Sequence, residues 1–148
     1  MRVCGVEIKS NEAIICLMEL DGDLVQIPDC RQTRFQLSKT GDQESMQKLQ
    51  FALSKLFTDY RVTHVAIKER PQKGKFAGSA LGFKIEAALQ LIESVQVDIM
   101  AGSYQKDVLK RNPIPVDFAD TGLKGFQETA FVVAYAFLMG KKYPSVQS

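Results

Sequence analysis

The chain has 148 residues, enough for one well-buried core and short for two, so a single domain is expected. Its 45% hydrophobic content is ordinary for a globular chain, and a formal charge of +2 is too small to announce a nucleic-acid partner by itself. The longest apolar run, residues 130–139, falls short of the roughly 20 residues a membrane-crossing helix needs, which excludes a membrane partner. Three cysteines without metal-ligand spacing, behind an N-terminus with no signal-peptide pattern, point to reduced thiols and a cytoplasmic chain.

Residues 2–8 and 12–20 are rich in β-branched and apolar side chains, and Lys9, Ser10 and Asn11 between them are turn formers, so the chain opens with a β-hairpin. A three-residue loop sets Cys4 opposite Cys16, Val6 opposite Ile14 and Ile8 opposite Glu12, with Val3, Gly5, Glu7, Ala13, Ile15 and Leu17 on one face. Both faces are apolar. The hairpin is therefore expected to lie mid-sheet, covered on both sides, where Glu7 is a carboxylate that needs a partner or a task. Asp21, Gly22 and Asp23 turn the chain into a third strand over residues 24–27, which resumes near residues 35–37 after a loop holding Pro28 and Cys30. Met46, Leu49, Leu53, Leu56 and Phe57 then recur at helical spacing over residues 45–60. Residues 62–67 read as a fourth strand, 79–94 as a helix and 95–100 as a fifth strand. Ser103 is placed to cap a short helix ending at Arg111, and a strongly apolar helix follows Gly125 and ends near Gly140. His64, the single histidine, sits inside a strand and reads as packed.

This order, βββαβαβαα, carries a first strand ending Gly5-Val6-Glu7 and the fourth-strand phrase Val65-Ala-Ile-Lys-Glu69. It adds the strand-helix passage 97–111 and a final helix opening Glu128-Thr-Ala-Phe-Val-Val-Ala-Tyr-Ala136. In these features the chain resembles the RNase H-like superfamily, and within it the RuvC-like branch of Holliday-junction resolvases. The resemblance implies a single α/β domain over residues 1–142, a mixed sheet with helices on both faces, and a flexible tail over 143–148. It also implies carboxylates on the first strand, the fourth strand and the last helix that gather two Mg²⁺ or Mn²⁺ ions against a phosphodiester. The matching catalytic and metal-binding positions are Glu7, Glu69 and Glu128.

The sequence departs from that pattern in particular places. Glu7 stands where the family usually has aspartate, Lys68 fills the fourth-strand carboxylate position, and Gly125 replaces a second acid of the last helix, with Asp117 and Asp120 upstream as substitutes. In a regular strand Glu69 points away from Glu7 while Lys68 points toward it and pairs with it; a bulge would bring Glu69 back. Glu128 shares a helix face with Phe131, Val132, Tyr135 and Ala136 and is expected to point inward. Lys68, Arg70, Lys73, Lys75 and Lys84, with Phe76 among them, form the densest basic cluster and a candidate phosphate-contacting surface. Three readings follow. The first is a nucleic-acid-associated domain, for DNA or RNA, with an altered metal site. The second is an active metal-dependent endonuclease. The third, ranked last, is a relative of actin-like ATPases, which need two such domains. The family reading also admits a homodimer.

Overall fold

The computed structural model describes residues 1–74 and 78–144. Strands β1 (Arg2–Lys9) and β2 (Glu12–Asp21) form the expected antiparallel hairpin, but the loop has two residues, Ser10 and Asn11. Ser10 takes φ 57°, the left-handed conformation that lets a two-residue turn follow the twist of its strands. The register therefore differs by one residue from a three-residue loop. Cys4 faces Leu17, Gly5 faces Cys16 and Glu7 faces Ile14. This corrects the expected Cys4–Cys16 pairing. Glu7 keeps its place beside Val3 and Gly5, but the β2 residues on its face are Ile14, Cys16 and Met18.

The third strand is two short strands, β3 (Leu24–Gln26) and β4 (Arg34–Gln36), and both pair with the outer edge of β2. Strand β5 (His64–Lys68) lies parallel to β1, and β6 (Gln96–Met100) lies parallel to β5. The sheet order is β3-β2-β1-β5-β6, with β4 off that path on β2. The crossovers carry helices, as parallel pairing requires.

Helix α1 (Gln43–Asp59) is capped by Asp42, whose carboxylate accepts from Ser45 N at 3.0 Å. Helix α2 (Ala80–Gln90) is capped by Ser79, which accepts from Gly82 N and donates to the Ser10 carbonyl at 2.7 Å. These two helices cover the face made by Cys4, Val6, Ile8, Ala13, Ile15 and Leu17. Helix α3 (Gly102–Arg111) starts after Ala101 with no side-chain cap, so Ser103 does not take the role expected of it. Helix α4 (Glu128–Lys142) covers the other face, on Val3, Cys16, Met18 and Ala66. Gly5 makes that contact possible, since a Cβ there would collide with the Ala130 carbonyl and stand 2.8 Å from Ala134 Cβ. Tyr143, expected to open the tail, is held: its hydroxyl donates to Asp23 at 2.7 Å and its carbonyl accepts from Arg111 at 3.1 Å. Residues 145–148 of the expected tail lie outside the described residues. No helix among the described residues is long and apolar enough to cross a membrane.

Cys4 and Cys16 are free, buried, and point to opposite faces. Burial pushes the Cys4 thiol well up and the Cys16 thiol up to about 12, which leaves almost no thiolate at neutral pH. In a native alkylation time course, half-buried Cys30 is therefore expected to react first, and Cys4 and Cys16 only on unfolding. Equal rates for the three thiols would contradict this packing.

Candidate functional site

The candidate site lies at the C-terminal ends of β1 and β5, on the face that α4 covers. The parallel pairing of Val6 with Ile67 sets Glu7 beside Lys68 at the next step along the strands. On the other side of Glu7 comes Ile14, then Arg34 on β4; beyond Lys68 comes Met100 on β6. Glu7 is half-buried and Lys68 exposed. Adjacent strands lie ~4.8 Å apart, so the two backbones are close. Even so, no Glu7–Lys68 ion pair forms among the described residues, because the Lys68 side chain leads out to solvent. Lys68 thus adjoins Glu7 by strand register and not by side-chain contact.

Glu69 is on the opposite face. Its N–H donates to the Met100 carbonyl at 3.0 Å, so the ladder continues without the bulge that would have returned it. It lines a cavity of about 400 Å³ with Arg70, Phe83, Glu86 and Ile99, where burial holds the Glu86 carboxyl above its usual range. Arg70 is turned into the protein body. Its guanidinium stacks on Phe83 at 4.4 Å and fills space left by Gly78 and Gly82, where a Cβ would collide with it. Nε and Nη2 are buried with no partner among the described residues. Lys84 donates to the Gly41 carbonyl at 2.8 Å and ties α2 to the start of α1. Of the basic cluster, Lys68 and Lys73 are exposed, and Lys75, with Phe76, lies outside the described residues.

Glu128 opens α4 and is exposed rather than inward-pointing. Ala130, Phe131 and Ala134 take the buried positions of the first turns, and the helix dipole favours an acid at Glu128 without further partners. Asp117 and Asp120 are exposed around a 3-10 turn, Phe118–Thr121. Among the described residues no three His, Cys, Asp or Glu side chains gather as metal ligands. With Glu69 on the opposite face, Glu128 exposed and Lys68 in the fourth-strand position, the described residues do not assemble the carboxylate set that a pair of divalent cations needs.

Three residues without a signal in the sequence pattern shape this end of the sheet. Gln127, 3% exposed, donates to the Ile15 carbonyl at 3.0 Å and accepts from Lys124 N at 3.0 Å, which fastens the start of α4 to β2. Arg34 forms a two-pronged ion pair with Glu12, with Nη2 to Oε2 at 3.0 Å, and lies over the Phe126 ring at 4.8 Å. Phe126 is partly exposed. Its only sequence cue is an aromatic just ahead of an acid-led helix. His64 is packed as expected, its ring 5.7 Å from that of Phe137.

The family model described as "Protein of unknown function (DUF3010)" matches residues 1–137. Comparison with curated proteins gives no match. Among solved structures, Thermus thermophilus RuvC is similar at 13% identity, with 96% of each chain covered and a TM-score of 0.68. T. thermophilus RuvC in complex with a Holliday junction substrate is similar at 15% identity, with 97% of each chain covered and a TM-score of 0.64. At these identities the likeness shows the fold: a single α/β domain of RNase H-like type, with a mixed sheet and helices.

Proposed function

We propose, for this chain that belongs to the DUF3010 family, a nucleic-acid-associated role in which a RuvC-like domain binds through an altered metal site rather than cutting with metal. The observation that carries it is Lys68 beside Glu7 on the α4 face. An ammonium in that row repels divalent cations and attracts phosphate, which reverses the electrostatic task that a carboxylate would have there. Arg34, paired with Glu12, and the partly exposed Phe126 under its guanidinium extend the row on the other side of Glu7. The similarity to a RuvC bound to a Holliday junction supports DNA as the first nucleic acid to test, with RNA beside it. The nuclease reading, with Glu7, Glu69 and Glu128 as metal ligands, has less support because Glu69 faces the other way.

The test is a titration of labelled four-way junction, duplex and single-strand oligonucleotides in EDTA and in Mg²⁺. Binding is expected in EDTA without any requirement for Mg²⁺, and added Mg²⁺ should only compete for the phosphates as a counterion. Lys68→Ala should weaken it and lower the salt slope by about 1, as loss of one phosphate contact does. Lys73→Ala should act likewise, whereas Lys84→Ala should leave the slope unchanged, since its ammonium is already held by Gly41. Mg²⁺ or Mn²⁺ should not raise the melting temperature. Metal-dependent cleavage that disappears in both Glu7→Gln and Glu128→Gln, with folding intact, would overturn the proposal in favour of the nuclease.

A further inference from the structure

Arg70 makes no ion pair among the described residues, although two carboxylates, Glu69 and Glu86, line the same cavity. Its Nε and Nη2 are nevertheless buried. A guanidinium carries five N–H donors and no acceptor, and burying donors without partners is costly. The fold makes room for this group rather than avoiding it: a Cβ at Gly78 or Gly82 would stand 2.6 or 2.3 Å from Nη1. The helix offers no relief, because Gly82 lies in the first turn of α2, at the positive end of its dipole.

The cavity, about 400 Å³, falls in the ~300–1,000 Å³ range of small-ligand sites. Pro71, Phe83 and Ile99 make its apolar walls. Phe83 holds the guanidinium against its ring at 4.4 Å, which fixes the plane in which Arg70 donates. Burial holds the Glu86 carboxyl above its usual range and the Arg70 guanidinium below its own, against the attraction between the two. Opposite charges thus share one cavity and still do not pair. A ligand that satisfies both must accept from a fork of donors and donate to a pair of carboxylate oxygens. To pack on the walls it must also be flat and apolar on its faces.

Guanine meets these demands on adjoining edges: O6 and N7 accept, and N1–H and N2–H donate. Cytosine, adenine and uracil each lack donors on two neighbouring atoms. We infer that this cavity binds a guanine base, with Arg70 donating to O6 and N7 and Glu86 accepting from N1–H and N2–H. The exposed Glu69, whose charge reaches Glu86, strengthens the preference for a donor edge there. Because the pairing edge of the base is used, the guanine comes from a free nucleotide or from an unpaired position in a strand. The site shares no residue with the row at Lys68, so it stands or falls separately from the nucleic-acid reading.

Two probes test it on the full chain: guanosine 5′-monophosphate by calorimetric titration, and a labelled single-stranded oligothymidine with one central guanine by fluorescence. Replacing the guanine by hypoxanthine, which lacks the N2 amino group, or by 7-deazaguanine, which lacks N7, should weaken binding about ten-fold or more, as loss of a bidentate base contact does. Glu86→Gln should remove the hypoxanthine penalty, and Arg70→Lys, which keeps the charge but not the fork, the 7-deazaguanine penalty. Both variants are checked for native circular dichroism and melting, and the base analogues read the same contacts on the wild-type chain if Arg70→Lys does not fold. Penalties seen with the mononucleotide support the site and mark a free nucleotide as the source; penalties seen only with the oligonucleotide support it and mark an unpaired guanine. The inference fails if neither probe binds, or if either base analogue binds as tightly as guanine in both probes. A hypoxanthine penalty that persists in Glu86→Gln would also overturn it.

Discussion

Gly5→Ala is expected to lower stability by about 3 kcal/mol, the upper end of the usual cost of overpacking a close-packed core. In a domain of this size that is a fall in melting temperature on the order of 10 °C. The new methyl group would meet backbone, the Ala130 carbonyl, and Ala134 Cβ at 2.8 Å, and neither can rotate away. Helix α4 must then lift from β1 or the strand must bow. Either movement changes the spacing between α4's first turn and Glu7, so nucleic-acid binding should weaken with stability. Gly102→Ala is the control. It lies in α3 with open space where a methyl group would stand, and it should melt within a degree or two of the wild type. Equal melting temperatures for the two variants would show that α4 does not press on β1 as described.

Gln127→Leu should cost about 2–3 kcal/mol, a loss read as a lower urea midpoint with an unchanged slope. Leucine fills nearly the same volume but cannot donate to the buried Ile15 carbonyl, which then has lost its side-chain partner at 3.0 Å. The Lys124 N–H also loses its acceptor, but it lies near the surface, where water can replace it. Most of the cost therefore falls on one carbonyl. Because this bond holds the start of α4 to β2, the variant should also disturb Phe126 and the Arg34 guanidinium over it, and weaken oligonucleotide binding beyond any effect on Lys68. A variant as stable as wild type would mean that the Ile15 carbonyl finds water, and that α4 is positioned by packing alone.

The architecture is legible because each element announces itself by its apolar period. The α1 stripe of Leu49, Leu53, Leu56 and Phe57 is buried as its spacing predicts, and the two-sided hairpin reads as central because both its faces are apolar. Register is not legible. A Lys-Ser-Asn stretch is compatible with loops of two or three residues, and the choice depends on whether Ser10 accepts a left-handed backbone, helped here by Asn11 binding the Leu37 carbonyl at 2.7 Å. At the site, strand alternation alone is enough to send Lys68 and Glu69 to different faces. The direction of Glu128 is hidden because the later turns of α4 dominate its apolar pattern, whereas the first turn is set by Gln127 and Ala130. Arg70 is hidden for a different reason: a guanidinium in a glycine-rich loop looks solvated until Gly78 and Gly82 are seen to make room for it. Arg34, Phe126 and Gln127 lie in or beside connecting segments, where no period marks which side chains turn inward.

The contact between β1 and α4 joins the first element of the chain to the last, and this has a consequence for its synthesis. The hairpin can pair as soon as it emerges, and its α1–α2 face can be covered soon after. The side bearing Val3, Cys16 and Met18 must wait for Ala130 and Ala134. At ribosomal rates of about 5–20 residues per second, more than a hundred intervening residues keep that apolar surface open for on the order of ten seconds. The nascent chain is thus exposed to chaperones, and to other hairpins like itself, throughout that interval. A chain halted before α4 would retain that exposed surface.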